Sequence, residues 1–154
     1  MEAKYYTIFL AFFMGTIIFS SPSTESHSKA PEKFIKARIG SRSYVLEIAD
    51  TYSKRAYGLS GRKKMARDKG MLFVFNKPVN YDFSMYNMQF PLDFLWVRDN
   101  RVVGLMKNIS TKNTNAFAAD EKFDRVIELN AGELTRNMVK VGDEISFSKL
   151  PNEP

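Results

Sequence analysis

The sequence predicts an α+β fold, mostly β: a compact, partly closed β-barrel of about seven short strands with one or two short helices. Three observations lead there. Apolar residues recur with period two or in short solid runs, not with a helical period. Thirteen Phe, seven Tyr and one Trp among 154 residues supply side chains that favour pleated, half-buried surfaces. Gly, Asn and Asp punctuate these runs at short intervals, as turns between strands do.

The elements follow in order. "FIKARIG" alternates Phe34, Lys36 and Arg38 against Ile35, Ala37 and Ile39, and "SYVLEIAD" continues beyond "GSRS", so the pair reads as a hairpin. "DTYSKRAYGL" reads as a short helix, with Asp50 or Thr51 as N-cap and Gly58 as stop. "GMLFVF" is a strand ended by "NKP". "LDFLWVRDNRVVGLM" is a hairpin turning at Asp99-Asn100. "RVIEL" is a strand, "NAGELTRN" a capped helical turn, and "VKVGDEISF" a strand pair about Gly142-Asp143. Residues 110–124, "STKNTNAFAADEKFD", lack periodicity and read as a long surface loop, a length that usually covers something.

Before the barrel, residues 1–23 carry Lys4 and then an apolar run from Tyr5 to Phe19, with Ser20, Ser21 and Ser23 after it. That run matches a signal-peptide core and falls short of the roughly 20 residues that span a bilayer comfortably. The expectation is an exported protein, periplasmic, envelope-bound or secreted, with residues 5–19 as signal or anchor. Residues 24–33 read as a flexible linker, 34–148 as the folded domain and 149–154 as a tail.

Composition narrows the chemistry. With no Cys, disulfides, zinc-thiolate sites, iron–sulfur clusters and cysteine nucleophiles are excluded. The single histidine, His27, lies in the polar linker, so neither a Ser-His-Asp triad nor a two-His metal site fits. No P-loop or G-x-G-x-x-G is present, and no cofactor or metal is called for. The net charge of +6 points to anionic headgroups or wall polymers as neighbours, with membrane-surface association, and not to nucleic acid.

Three stretches carry a resemblance: "ADTYSKRAYGLSGRKKM…GMLFVF", "FSMYNMQFPLDFLWV" and "VIELNAGELTRNMVKVGD". Together they resemble the DUF192 (UPF0127) family, whose pattern runs A-D-T, R-x-x-G-L-M-x-R, G-M-L-F-x-F, F-W-M-K-N-T-x-x-P-L-D, L-x-x-G and V-G-D. The match covers about Ala37 to Phe147. It implies a β-rich fold and an exported location, and no reaction. Asp50, Arg55, Gly58, Leu59, Arg62, Gly70, Met71, Leu72, Phe73 and Phe75 match the pattern, as do Phe83, Met85, Asn87, Pro91, Leu92, Asp93, Gly132, Gly142 and Asp143. Ser84, Tyr86 and Met88 stand where the pattern has Trp, Lys and Thr.

Within that aromatic stretch Asp93 needs an explanation, because a buried carboxylate is costly unless paired or hydrogen-bonded. It reads either as a structural acceptor of backbone N–H groups or as a ligand-binding acid. Arg62 follows a glycine and has the fork to clamp a carboxylate, either that of Asp93 or that of a ligand. Asn87 reads as a ligand contact or a turn anchor, and Met85 and Met88 as gap-fillers in a core, since a copper site on them would need more thioethers or a His nearby. The first reading is therefore a non-catalytic binding module. Asp50, Arg62, Met85, Asn87 and Asp93 would line a shallow pocket beside the 110–124 loop, for a small anionic ligand or an envelope polymer. Two alternatives stand beside it. One is an envelope hydrolase acting on glycans through paired carboxylates, Asp93 with Asp50 or Asp82. The other is a structural protein-interaction module with an exposed apolar patch on Tyr81–Met88.

Overall fold

In the computed structural model, which describes residues 32–149, seven strands and two short helices form. Strands β1 (Phe34–Ile39) and β2 (Arg42–Ala49) are the predicted hairpin, antiparallel with Phe34 opposite Glu47. Gly40 turns it with φ +59°, and a Cβ there would lie 2.9 Å from the Asn137 carbonyl oxygen. Both the backbone sign and the crowding demand glycine.

Helix α1 (Tyr52–Tyr57) starts where the capping residues say it should. The Thr51 hydroxyl accepts from the Lys54 amide at 3.2 Å, and Gly58 ends the helix with φ +53°. The helix serves as a crossover, because β3 (Lys69–Val79) then runs parallel to β2, pairing Val45 with Lys69 and Ala49 with Phe73. β3 continues through Asn76-Lys77-Pro78, where an end was expected. A register shift against β6 between Val74 and Val79 lets Pro78 pass without a ladder hydrogen bond.

β4 (Leu92–Arg98) and β5 (Arg101–Ile109) form the expected hairpin; Asp99 (φ 49°) and Asn100 (φ 62°) both take the left-handed conformation of a tight two-residue turn. β6 (Phe123–Asn130) inserts between β4 and β3, and α2 (Glu133–Arg136) follows it. β7 (Ser146–Ser148) pairs with β1. The order across the sheet is β5-β4-β6-β3-β2-β1-β7.

"VKVGDEISF" is not the strand pair expected of it. Its first half closes α2 (Val139 N–H to the Leu134 carbonyl oxygen, 3.0 Å) and then crosses to the far edge of the sheet. There the Val102 amide donates to Asp143 and the Ile145 amide to Asn100. One segment thus touches β5 before β7 joins β1, and this draws the curled sheet into a partly closed barrel.

Apolar side chains fill both faces of the central strands. One layer, inside the curl, contains Ala37, Tyr44, Leu46, Leu72, Leu95, Ile127, Leu129 and Leu134. The other contains Met71, Phe73, Met85, Phe94, Trp96, Phe123 and Val126. Double burial explains why "GMLFVF", "LDFLWV" and "RVIEL" read as solid apolar runs. The outer layer is roofed by residues 80–91 and by the 110–122 loop, which is stitched down where Phe83 and Phe117 exchange main-chain hydrogen bonds of 2.7 and 2.9 Å. Phe117 stacks edge-on against Phe94 and Trp96, so this loop supplies core as well as cover. The apolar run at 5–19 and its cleavage region lie outside the described residues. Among the described residues no helix is long and apolar enough to cross a membrane.

Candidate functional site

Three carboxylic acids are buried among the described residues: Asp93, Glu128 and Glu133. How each is satisfied separates scaffold from site. Asp93, on β4, accepts from the Asn108 amide at 2.7 Å and from the Leu134 amide at 2.8 Å. It ties β5 and the first turn of α2 to β4, and both its oxygens are occupied by main chain. Glu133 is ringed by donors: the Tyr44 hydroxyl at 2.7 Å, Arg67 Nε at 3.0 Å and the Arg136 guanidinium. Burial raises its affinity for a proton, but the hydrogen bonds from Arg136, Tyr44 and Arg67 win and hold the carboxyl below the usual range. In return, burial and the Glu133 carboxylate push the Tyr44 hydroxyl well above its ordinary value.

Glu128 differs. It lies on β6 opposite Met71 of β3 and Phe94 of β4, only 6% exposed, and accepts no hydrogen bond from the described residues. Loss of solvent pushes its carboxyl up to about 8, against a smaller opposing pull from the Arg62 charge. Its carboxyl lines a recess of about 550 Å³ on the outer face of the sheet.

Four segments build that recess. α1 contributes Tyr52, Arg55 and Tyr57, and the turn after it contributes Leu59 and Ser60. β3 contributes Phe73 and Phe75, whose outward alternation continues the apolar layer to the opening. Residues 81–88 contribute Tyr81, Asp82 and Phe83, then Ser84, Tyr86 and Met88 in alternation, while Met85 turns into the core. β6 contributes Glu128. Tyr52, Tyr57, Tyr81 and Tyr86 are 57–84% exposed and all stand at this opening. Arg55 is parked on the wall: its guanidinium lies 5.1 Å from the Phe75 ring centroid and donates to the Val74 carbonyl oxygen at 2.9 Å.

The five residues singled out in the sequence do not meet there. Asp50 faces outward and pairs with Lys33 at 3.0 Å, a hydrogen bond that lowers its carboxyl from the ordinary value. Arg62 clamps Glu47 at 2.7 Å instead of Asp93. Met85 is core. Asn87 is exposed in the left-handed conformation (φ 56°), and its carbonyl oxygen takes the Gly61 amide at 3.0 Å, pinning residues 81–88 to the turn after α1. Of the three carboxylates weighed for hydrolysis, Asp93, Asp50 and Asp82, only Asp82 lines the recess.

Sequence reasoning missed Glu128 and the tyrosines of α1. The signal for Glu128 was of the kind that drew notice to Asp93: a lone acid inside an apolar run, here Val126-Ile127-Glu128-Leu129. Tyr52 and Tyr57 gave no signal, because a helix of six residues does not reveal which face is covered. Among the described residues no three His, Cys, Asp or Glu side chains gather as a metal site.

The DUF192 sequence profile, described as "Uncharacterized ACR", matches residues 35–147. The chain belongs to the DUF192 family. Two solved structures are similar to this DUF192 protein. One, from Sinorhizobium meliloti 1021 and described as a candidate transcription regulator, shares 29% identity with a TM-score of 0.69, over 76% of this chain and 94% of its own. The other, a protein of unknown function from Novosphingobium aromaticivorans DSM 12444, shares 27% with a TM-score of 0.68, over 83% of this chain and 94% of its own. No curated protein matches. Against the family pattern, Met85 and Asn87, which keep the pattern, are core and main-chain anchor here. Ser84, Tyr86 and Met88, which depart from it, line the recess.

Proposed function

We propose that this DUF192 domain is a non-catalytic binding module that holds a small ligand, or one unit of an envelope polymer, in the tyrosine-rimmed recess. The observation that carries the reading is the gathering of four exposed tyrosines around one opening with a buried, unpaired carboxyl in its wall. Exposed tyrosines dispersed over a surface need no explanation; four rimming one hollow supply rigid, amphipathic contact area at little entropic cost. The departures at Ser84, Tyr86 and Met88 then act as specificity changes on a retained frame. The sequence points to an anionic ligand because the Arg62 fork can clamp a carboxylate or phosphate. With Arg62 held by Glu47 and Arg55 on Phe75, the recess is better suited to a ligand that presents a flat or alkyl face than to a phosphate or carboxylate.

The setting we propose is outside the cytoplasm, on the strength of the apolar run at 5–19 and the net charge of +6. Calorimetry of the full chain against wall fragments, sugars and small amines tests the recess. A ligand is expected whose affinity falls at least about tenfold in Tyr57→Ala or Tyr86→Ala, the scale of losing one aromatic anchor. Binding unchanged in both variants puts the site elsewhere.

One observation favours a second reading. A carboxyl that stays protonated to about 8 in a recess that a second acid, Asp82, also lines offers the asymmetry that glycan hydrolases use. Glycan cleavage abolished by both Glu128→Gln and Asp82→Asn would replace binding with catalysis.

A further inference from the structure

Every buried acid in the described fold is answered by donors except the one in the recess. Glu128 has Met71 and Phe94 as strand neighbours and lies under a roof of aromatic rings, so nothing on its own sheet offers it a proton donor. A buried carboxyl that is left unanswered by the protein is best answered by whatever enters.

The walls describe what that group should be. Tyr52, Tyr57, Tyr81 and Tyr86 stand around the opening, with Phe73, Phe75 and Phe83 deeper. Rings of this kind attract positive charge through their electron-rich faces, and they do so best for weakly hydrated organic cations. The wall already shows that affinity, since the Arg55 guanidinium sits on Phe75. The charged groups that face Glu128 or share the recess are Arg62, Arg55 and Asp82. Arg62 is neutralised by Glu47 at 2.7 Å, and Arg55 is held by the Val74 carbonyl oxygen, so with Glu128 ionised the two acids outnumber the one cation in the lining. Tyr86 matters here, because it brings an exposed neutral ring and no charge to the opening.

We propose that the recess takes a ligand bearing an organic cation, a quaternary ammonium or protonated amine, seated against the tyrosine rings with Glu128 as its counter-charge. This rests on the reading of the recess as a ligand site and names the ligand class for it. Ionic and aromatic contributions act on the same group: the carboxylate supplies charge at short range, and the rings exclude water from it.

Choline and its uncharged isostere 3,3-dimethylbutanol separate the ideas. Titration of the full chain is expected to show choline binding at least about tenfold more tightly than the alcohol. Because choline cannot titrate, its affinity should rise with pH from about 6 to about 9, by up to about tenfold per unit while Glu128 is protonated. In Glu128→Gln the rise should vanish and affinity at the upper pH should drop. Tyr57→Ala should weaken choline at both pH values, a readout that does not depend on the buried substitution being tolerated. Equal binding of choline and alcohol, an affinity that falls with pH, or a rise that persists in Glu128→Gln each overturn the cation. No choline binding, with a sugar or wall fragment still lost in Tyr57→Ala, overturns the ligand class and leaves the recess as a binding site. No recess-dependent ligand of any kind overturns both.

Discussion

Asp93 and Glu128 sit on neighbouring strands one residue out of step, Asp93 opposite Leu129 and Glu128 opposite Phe94, and they therefore point to opposite faces of the same sheet. Both are acids in strongly apolar runs and both are buried. On the inner face, Asp93 meets the start of α2 and the end of β5, whose amides would otherwise lack partners. On the outer face, Glu128 meets aromatic rings and a hollow. Burial alone does not mark function; an acid is informative when the fold around it withholds the donors that burial demands.

The largest test of that contrast is Asp93→Ala. It leaves the buried Leu134 amide and the part-buried Asn108 amide without an acceptor, at about 1–3 kcal/mol each, with Asn108 at the lower end because water reaches that residue. Urea unfolding should therefore show about 4 kcal/mol lost. A loss under about 1 kcal/mol would mean that water answers those amides as well as the carboxylate does, and the contrast would weaken.

Next in size is the pH dependence carried by Glu128. Its carboxyl binds a proton more tightly folded than unfolded, so its contribution is fully present below the ordinary value of 4.5 and is lost as pH rises through about 8. The shift from 4.5 to about 8 corresponds to at most about 5 kcal/mol; because Glu128 borders an open recess, on the order of 3 kcal/mol of stability should disappear across that window in the wild type, and Glu128→Gln should flatten the curve. Parallel curves for the two proteins would show that the group ionises at no cost and that the recess is well solvated. Glu133, whose carboxyl is held below the usual range, contributes with opposite sign: its stabilisation is present above the ordinary value and is lost only as pH falls through the depressed one.

Asp50 gives the smallest effect and calibrates the others. It pairs with a Lys33 side chain that is 63% exposed, so Asp50→Asn should change stability by no more than about 0.5 kcal/mol, and less in high salt. A change as large as that of Asp93→Ala would remove the distinction between surface and buried acids on which the site assignment stands.

What could be read along the chain was local. The Gly40 turn, the Thr51 cap with its Gly58 stop and the Asp99-Asn100 hairpin each lie within a few residues, and each is enforced by backbone geometry. The parallel pairing of β2 with β3 was not legible, because strand partners separated by a helix leave no mark on either strand's pattern. The Val139–Ile145 crossing escaped for a related reason: Gly142 signals a turn but not which edge the chain reaches after it. At the site the same limit applied. Arg62 looked free for Asp93 because nothing local reveals that Glu47, fifteen positions earlier, faces it. Met85 and Asn87 were noticed for their types, yet the alternation in residues 84–88 sends Ser84, Tyr86 and Met88 to the opening instead.

The sequence by itself determined a mostly β domain of the DUF192 family, with its hairpins, its short capped helix and the unusual presence of acids in apolar strands, because turns, caps and side-chain periodicity are short-range consequences of covalent geometry. Only the tertiary structure decided which acid is scaffold and which faces a hollow. That choice depends on amides and rings brought from distant segments, Asn108 and Leu134 to Asp93, and Tyr57 and Tyr86 to the recess that Glu128 lines. Hydrogen-bond satisfaction is a property of the assembled neighbourhood, and no single strand carries it.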